Sequence, residues 1–331
     1  MAATPLATIG ILSVGDMGVG IARLLIAKGF SVATNCEGRS QDTVARAKAA
    51  KVSILPTDTA LVQASDVILS VVPPRDAAAT AQRVIDAIGA GPATSARSAP
   101  LYFADMNAVA PSTAKLLAGM FAAADAPVRF LDGCIMGGPP APKQQPAGEG
   151  STSPSASEWS VPLMPTSGPH RLADLPFGAE LSAVLRSRHI SDDVGAASGL
   201  KMCFASLSKG YAAIAIQAFT TAQRLGVLHE LQGALADLAP GRVKATEGAL
   251  TGMAPKAYRW VREMEEISRT HVEEGGFEPE IFAGAAEVFR AVAEDTVLGL
   301  EKVGDRKRGR TAEDVAVAMA EGLEKKRRKQ E

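Results

Sequence analysis

Residues 7–34 read Ala7-Thr8-Ile9-Gly10-Ile11-Leu12-Ser13-Val14-Gly15-Asp16-Met17-Gly18-Val19-Gly20-Ile21-Ala22-Arg23-Leu24-Leu25-Ile26-Ala27-Lys28-Gly29-Phe30-Ser31-Val32-Ala33-Thr34. The first six residues are a short apolar run, which predicts a buried strand. Ser13 to Gly18 form a turn. Apolar residues at helical spacing follow over 19–28, and Gly29 is a helix stop. Residues 30–34 predict a second strand. A turn between a buried strand and a helix leaves backbone N–H groups at the helix N-terminus, where the helix dipole favours an anion such as a pyrophosphate. The pattern Ser13-x-Gly15-x-x-Gly18 departs from G-x-G-x-x-G in its first slot, which a residue with negative φ can fill. This reading predicts that Ser13, Val14, Gly15, Asp16, Met17 and Gly18 form the phosphate turn of a dinucleotide site. A βα turn that binds no nucleotide is the alternative.

The same alternation continues downstream. Helices are predicted over 41–50, near 57–64 and over 75–89, and strands over 52–54, 67–72 and 101–105. Such alternation implies a parallel sheet with helices on both faces. Residues 139–170 hold eight of the 20 prolines and many Ser and Gly, and predict an irregular insert or lid. From Val194 to about Ala222 runs a long Ala-rich helical pattern, and residues 223–323 read as helix after helix. The predicted architecture is α/β, a Rossmann-type doubly wound sheet followed by a long interdomain helix and an all-α C-terminal domain. The boundaries drawn are 1–193 for the nucleotide domain with its insert, and 194–331 for the helical domain with a basic tail.

Residues Asn35-Cys36-Glu37-Gly38-Arg39-Ser40, after the second strand, bear on cofactor choice. A carboxylate there, Glu37, would accept from a ribose 2′-OH, whereas Arg39 beside Ser40 would pair with a 2′-phosphate. Gly38-Arg39-Ser40 resembles a small anion nest opening the next helix, which favours NADP over NAD. Asn35, Arg39 and Ser40 are the predicted contacts.

Composition narrows the partners. The 331 residues are 47% hydrophobic and 21% charged, as expected of a folded chain. Lys+Arg 35 against Asp+Glu 36 leaves a net charge of −1, and aromatics are 5%, so neither a basic field nor stacking platforms for nucleic acid are predicted. Three distant cysteines and four histidines, with no HxxxH pair, predict no disulfide framework and no metal site. No signal peptide and no membrane span are read. A cytoplasmic location is predicted. The clusters Arg306-Lys307-Arg308-Gly309-Arg310 and Lys325-Lys326-Arg327-Arg328-Lys329 leave two readings open, a nuclear signal or a solvated helix end.

Ile9-Gly10-Ile11-Leu12-Ser13-Val14-Gly15-Asp16-Met17-Gly18 resembles the opening of the β-hydroxyacid dehydrogenases and 6-phosphogluconate dehydrogenases, whose pattern is G-F-I-G-x-G-x-M-G. Four later segments match in order. Ser70-Val71-Val72-Pro73-Pro74 resembles the strand and Pro turn beside the nicotinamide. Asp105-Met106-Asn107-Ala108-Val109-Ala110-Pro111 resembles D-x-S-x-x-x-P. Leu131-Asp132-Gly133-Cys134-Ile135-Met136-Gly137-Gly138 resembles D-A-P-V-S-G-G. Val194-Gly195-Ala196-Ala197-Ser198-Gly199-Leu200-Lys201 resembles the start of the helix that carries the family lysine. Segments of the C-terminal half resemble a helical domain found on poorly characterised members of this superfamily.

The resemblance implies hydride transfer between NADPH and a carbonyl or hydroxyl carbon, with Lys201 as proton donor or acceptor at the cleft between the domains. It implies Val72, Pro73 and Asn107 at the nicotinamide, and Asn107, Met136, Gly137, Gly138, Ala205 and Ser208 at the substrate. It also implies a homodimer through the helical domain. Met136 and Asn107 stand where the family has serines, and Phe204 and Ala205 occupy slots that carry Asn or His. Phe204 and Ala205 predict an apolar wall, and the missing hydroxyls at 107 and 136 a substrate other than a plain small 3-hydroxy acid. Two alternatives follow: an imine reductase of the same architecture, and an NADP-binding protein without catalysis. Lys209 with Ser208 reads as interdomain packing or substrate contact. Tyr211, Tyr258, Trp260 and His271 read as core or interface residues, and Glu263 and Glu266 as an exposed helix face.

Overall fold

The computed structural model describes residues 4–90, 99–143, 159–302 and 305–331. The chain divides into two compact units, Met1–Lys201 and Met202–Glu331.

The first unit opens with β1 (Thr8–Leu12), α1 (Asp16–Ala27), β2 (Ser31–Asn35), α2 (Gln41–Ala49), β3 (Ser53–Leu55), α3 (Asp58–Ala64) and β4 (Val67–Ser70). A 3₁₀ turn at Pro74–Asp76 leads into α4 (Ala77–Ala90), followed by β5 (Leu101–Asp105), α5 (Pro111–Ala123) and β6 (Val128–Gly133). Then come β7 (Ala141–Pro142), β8 (Trp159–Ser160), β9 (Met164–Ser167), α6 (Gly178–Leu185) and β10 (Ser187–Ser191). Eight strands form one sheet in the order β10-β9-β6-β5-β4-β1-β2-β3. All its pairs are parallel except β6 with β9.

Side chains alternate between the two faces with the period of two that a pleated strand imposes. Ile9, Ile11, Val67, Leu69, Tyr102, Ala104 and Leu131 face α1, α2 and α6, in a core with Ile21, Leu25, Ala47 and Leu181. Leu12, Ile68, Leu101, Phe103 and Phe130 face α3, α4 and α5, in a core with Leu61, Val84, Leu117 and Phe121. A sheet buried on both faces reads as near-continuous apolar runs, as β4 does.

Three expectations change. Helix α1 begins at Asp16, not at residue 19, because Gly15 takes the N-cap with extended backbone (φ −66°, ψ −170°). The stretch 139–170 is not an irregular insert throughout. Its described part pairs Ala141-Pro142 with Trp159-Ser160, and places β9 inside the main sheet against β6. Pro165 lacks an N–H, but its carbonyl accepts from the Cys134 N–H at 3.1 Å, so a proline fits this strand. Residues 144–158, where a lid is also predicted, lie outside the described residues. Finally, β9 makes the sheet mixed, not wholly parallel.

The division between the units falls at the helix α7 (Ala196–Ala205). A π-turn at Ser206–Gly210 then leads into α8 (Tyr211–Leu225). The helical unit continues with α9 (Leu228–Leu238), α10 (Pro240–Met253), α11 (Ala257–Glu273), α12 (Glu280–Asp295) and α13 (Ala312–Gln330). Helix α11 packs on α12, with the Trp260 and Phe289 rings edge to face at 5.1 Å. The long helical pattern predicted from Val194 is present as helical backbone from Ala196 to Leu225, with one π-turn at Ser206–Gly210 that adds a residue to that turn.

Candidate active site

The phosphate turn joins β1 to α1. Ser13 keeps a negative φ, as its place in the turn requires, and its N–H donates to the Val71 carbonyl at 3.3 Å. Gly18 has no alternative: a Cβ there would lie 1.9 Å from the Ser13 carbonyl oxygen. Val14 is buried, and its carbonyl accepts from the Arg46 guanidinium of α2 at 3.2 Å. Met17 packs on the core, whereas Asp16 is exposed. Gly15 caps α1 without a side-chain hydrogen bond, and a Cβ on it would meet nothing within 4 Å. The N-terminus of α1 lies at the C-terminal edge of the sheet with no side-chain cap of its own. That geometry fits a phosphate group.

After β2, Cys36 to Arg39 form a turn closed by the Arg39 N–H on the Cys36 carbonyl at 3.0 Å, with Gly38 at φ +69°. Arg39 is exposed. Burial pushes the Cys36 thiol pKa up, opposed by the Arg39 charge. Ser40 caps α2, its Oγ accepting from the Thr43 N–H at 3.3 Å. Asn35 is buried and turned inward: its amide donates to Asp58 at 2.8 Å, and its oxygen accepts from the Glu37 N–H at 2.8 Å.

The ends of β4 and β5 are tied by Asn107. Its Oδ1 accepts from the Val72 N–H at 2.7 Å, and its Nδ2 donates to Ser70 Oγ at 3.0 Å and Asp105 Oδ1 at 2.5 Å. The side chain is buried and its amide group is engaged within the fold. Those bonds fix the backbone that leads into Pro73, which is exposed. Met136 pairs through its backbone with Leu163, at 2.8 and 3.2 Å. Gly137, at φ +135°, and Gly138 are exposed beside it.

Lys201, in α7, donates to the Ile135 carbonyl at 2.5 Å. It therefore stands just beyond β6, on the sheet edge that carries the phosphate turn, Val72 and Asn107. In the helical unit, Ala205 is 3% exposed and Phe204 51% exposed. The Ser208 hydroxyl bonds back to the Phe204 and Ala205 carbonyls at 3.4 and 3.3 Å. Lys209 pairs with Glu263 and lies 5.1 Å from the Trp260 ring centre. Glu263 and Glu266 are not an exposed face. Glu266 is 1% exposed, held by Arg262 at 3.0 Å, because the acidic side of α11 turns towards basic partners. Tyr258 is exposed, and the Tyr211 hydroxyl bonds Thr246 at 2.6 Å. In the basic segments, Arg308 pairs with Asp314, and Lys326 with Asp295, both at 2.7 Å.

Residue reading overlooked a buried carboxyl pair, although both members lie in quoted motifs. Asp105 and Asp132 are cross-strand neighbours in register on β5 and β6, and both are fully buried. Burial and the nearby Asp132 push the Asp105 pKa up from 3.8 to about 7. Its Oδ2 has no hydrogen-bond partner among the described residues. Burial also lifts the Asp132 pKa, against donors from Ser198, Ser167 and Gly195. Among the described residues no cluster of metal-ligating side chains occurs, and no helix is long and apolar enough to cross a membrane.

Comparison with known proteins agrees with this fold. Residues 8–91 match the family model described as NADP oxidoreductase, coenzyme F420-dependent. Residues 222–292 match a domain of unknown function, DUF1932. No curated protein matches the chain in sequence. Among solved structures, a conserved protein described as structurally similar to 3-hydroxyacid dehydrogenases has TM-score 0.58 at 21% identity, over 87% of this chain and 97% of that one. The 3-hydroxyisobutyrate dehydrogenase of Salmonella typhimurium has TM-score 0.59 at 18% identity, over 95% and 99%. A reductive aminase from Aspergillus terreus, in complex with NADPH and ethyl-5-oxohexanoate, has TM-score 0.50 at 20% identity, over 94% and 98%. At such identities the likeness is one of fold. Residues 8–91 are thus similar to the NADP oxidoreductase model and residues 222–292 to a domain of unknown function, in a chain with the fold of the 3-hydroxyacid dehydrogenases.

Proposed function

We propose that this protein is an NADPH-dependent reductase, reversibly a dehydrogenase, acting on a carbonyl or hydroxyl carbon, with Lys201 as the proton donor or acceptor. The observation that carries this reading is the hydrogen bond from Lys201 to the Ile135 carbonyl. It holds an ammonium group on the same sheet edge as the open N-terminus of α1. In open α/β sheets ligands bind beyond the carboxyl ends of the strands.

When bound, NADPH supplies the hydride for reduction, and NADP⁺ accepts it in the reverse direction. Lys201 gives its proton to the oxygen that receives the carbonyl electron pair, and takes it back when an alcohol is oxidised. The N–H groups at Gly15 to Gly18 would hold the pyrophosphate, and Arg39 with Ser40 would meet the 2′-phosphate. Asn107 acts by holding Val72 in place, through the 2.7 Å bond to its N–H. Met136, Gly137 and Gly138 offer a surface without side-chain hydroxyls, which suits a weakly charged substrate. That same feature favours the second reading, reduction of a C=N bond, where no carboxylate needs to be held.

A second copy of the chain is proposed to cover the apolar side of α8, where Ile214 is 63% and Leu225 70% exposed. The groove between α8 and α9, about 720 Å³, includes Ala218, Thr221, Val227 and Leu231.

Titration with NADPH and NADH, followed by nicotinamide fluorescence, tests the cofactor site. Tighter binding of NADPH is expected, and Arg39→Ala should weaken it by about 1–3 kcal/mol. Turnover on a panel of hydroxy acids, carbonyls and cyclic imines should be lost in Lys201→Ala. Binding of neither nucleotide, or full turnover without Lys201, refutes the proposal.

A further inference from the structure

Helix α7 has its cap supplied from another element. Asp132, next to last in β6, directs its carboxylate at the start of the helix. Its Oδ2 accepts from the N–H groups of Gly195, Ala197 and Ser198 at 3.0, 3.1 and 3.1 Å, and from Ser167 Oγ at 2.8 Å. Its Oδ1 accepts from Ser198 Oγ at 2.5 Å. The group is fully buried, and four of its five donors belong to the first turn of α7 or the residue before it. Gly195 makes the approach possible. It adopts φ +104°, and a Cβ there would lie 3.0 Å from Pro111 Cβ.

Ser198 and Lys201 are three residues apart in α7, so they share a face one turn apart. Asp132 and Ile135 are likewise three apart on the β6 side. The helix is therefore pinned to the end of β6 twice, by the carboxylate at its start and by the ammonium one turn on. Between the two pins lies Cys134. Burial and the Asp132 charge push its thiol up to about 12, against the Lys201 charge, so all three groups share one electrostatic neighbourhood.

We infer that Asp132 is the positioning residue for Lys201: its carboxylate sets the rotation and advance of α7 over the sheet edge, and so where the lysine nitrogen stands. A slip of one residue along the helix would turn Lys201 by about 100° away from the Ile135 carbonyl. A charged group also suits a helix N-terminus better than a neutral cap, through the helix dipole. The inference rests on the Lys201 reading for its bearing on catalysis, but not for its geometry.

Asp132→Asn keeps the side-chain shape and one acceptor oxygen, and removes the charge. Ser198→Ala removes one donor and leaves the carboxylate. Both are tested in the full chain, by the rate at which acetic anhydride labels Lys201, read by peptide mass spectrometry with exposed Lys48 as the reference. Labelling of Lys201 is expected to rise several-fold in Asp132→Asn, and less in Ser198→Ala, with Lys48 unchanged. With a substrate from the panel, kcat should fall by about tenfold or more in Asp132→Asn, with the KM for NADPH unchanged. Unchanged labelling in folded Asp132→Asn overturns the inference, as does an equal rise at Lys48. If Asp132→Asn does not fold, unchanged labelling in Ser198→Ala does the same. If Lys201→Ala keeps its turnover, the catalytic reading fails, while the labelling still decides whether Asp132 places the lysine.

Discussion

At the scale of single residues, Asp105 makes the sharpest statement. It lies next to Asp132 in register, is fully buried, and shares Asn107 and Ser70 with the end of β4. Its pKa of about 7 exceeds the ordinary 3.8, so between those values the folded chain keeps a proton that the unfolded chain releases. The native state then binds more protons. Stability must fall as pH rises through this window, and the loss is complete above about 7. Asp105→Asn stays neutral throughout. Urea unfolding at several pH values should show the variant gaining on the wild type between pH 4 and 7, by at most about 1.4 kcal/mol per pH unit. A difference between the two that does not change with pH would mean that Asp105 does not titrate in this range.

At the scale of elements, the π-turn between α7 and α8 is held by a pair that helical periodicity does not reveal. Lys209 and Glu263 are mostly shielded from water, and the Lys209 ammonium lies against Trp260 of α11. Removing one member of such a pair takes the opposite charge away from a group shielded from water. Glu263→Gln is therefore expected to destabilise the helical unit by about 3 kcal/mol, read by urea unfolding with Trp260 fluorescence as a local probe. Lys209→Met in the same background should recover much of that loss, because no charge then remains. A Glu263→Gln variant as stable as the wild type would show that the pair contributes little.

At the scale of the whole molecule, the open question is what covers α8. Ile214 and Leu225 stand exposed on its outer side, about three turns apart. If that surface meets its own copy, light scattering should report a dimer at micromolar concentration. Ile214→Asp should then give a monomer with unchanged circular dichroism, because a charge would have to be buried twice across a two-fold contact. A wild-type monomer at every concentration would exclude the self-association.

The doubly wound sheet was legible in the chain because strand and helix periods alternate strictly from Thr8 to Asp105, and each apolar face has one partner it can bury against. The βα turn was legible because Gly18 is needed there, where a Cβ would lie 1.9 Å from the Ser13 carbonyl oxygen. Strand β9 was not, since its Pro, Thr and Ser read as loop until β6 and β10 pair with it. Nor was the π-turn, which depends on contacts between distant helices. Asp132 lay in view within a quoted motif, yet its partners Ser167, Gly195 and Ser198 are 30 or more residues away. The sequence by itself determined which residues carry the turn and the lysine. Only the tertiary structure decided what holds them, because hydrogen bonds between distant segments exist only once the sheet has brought those segments together.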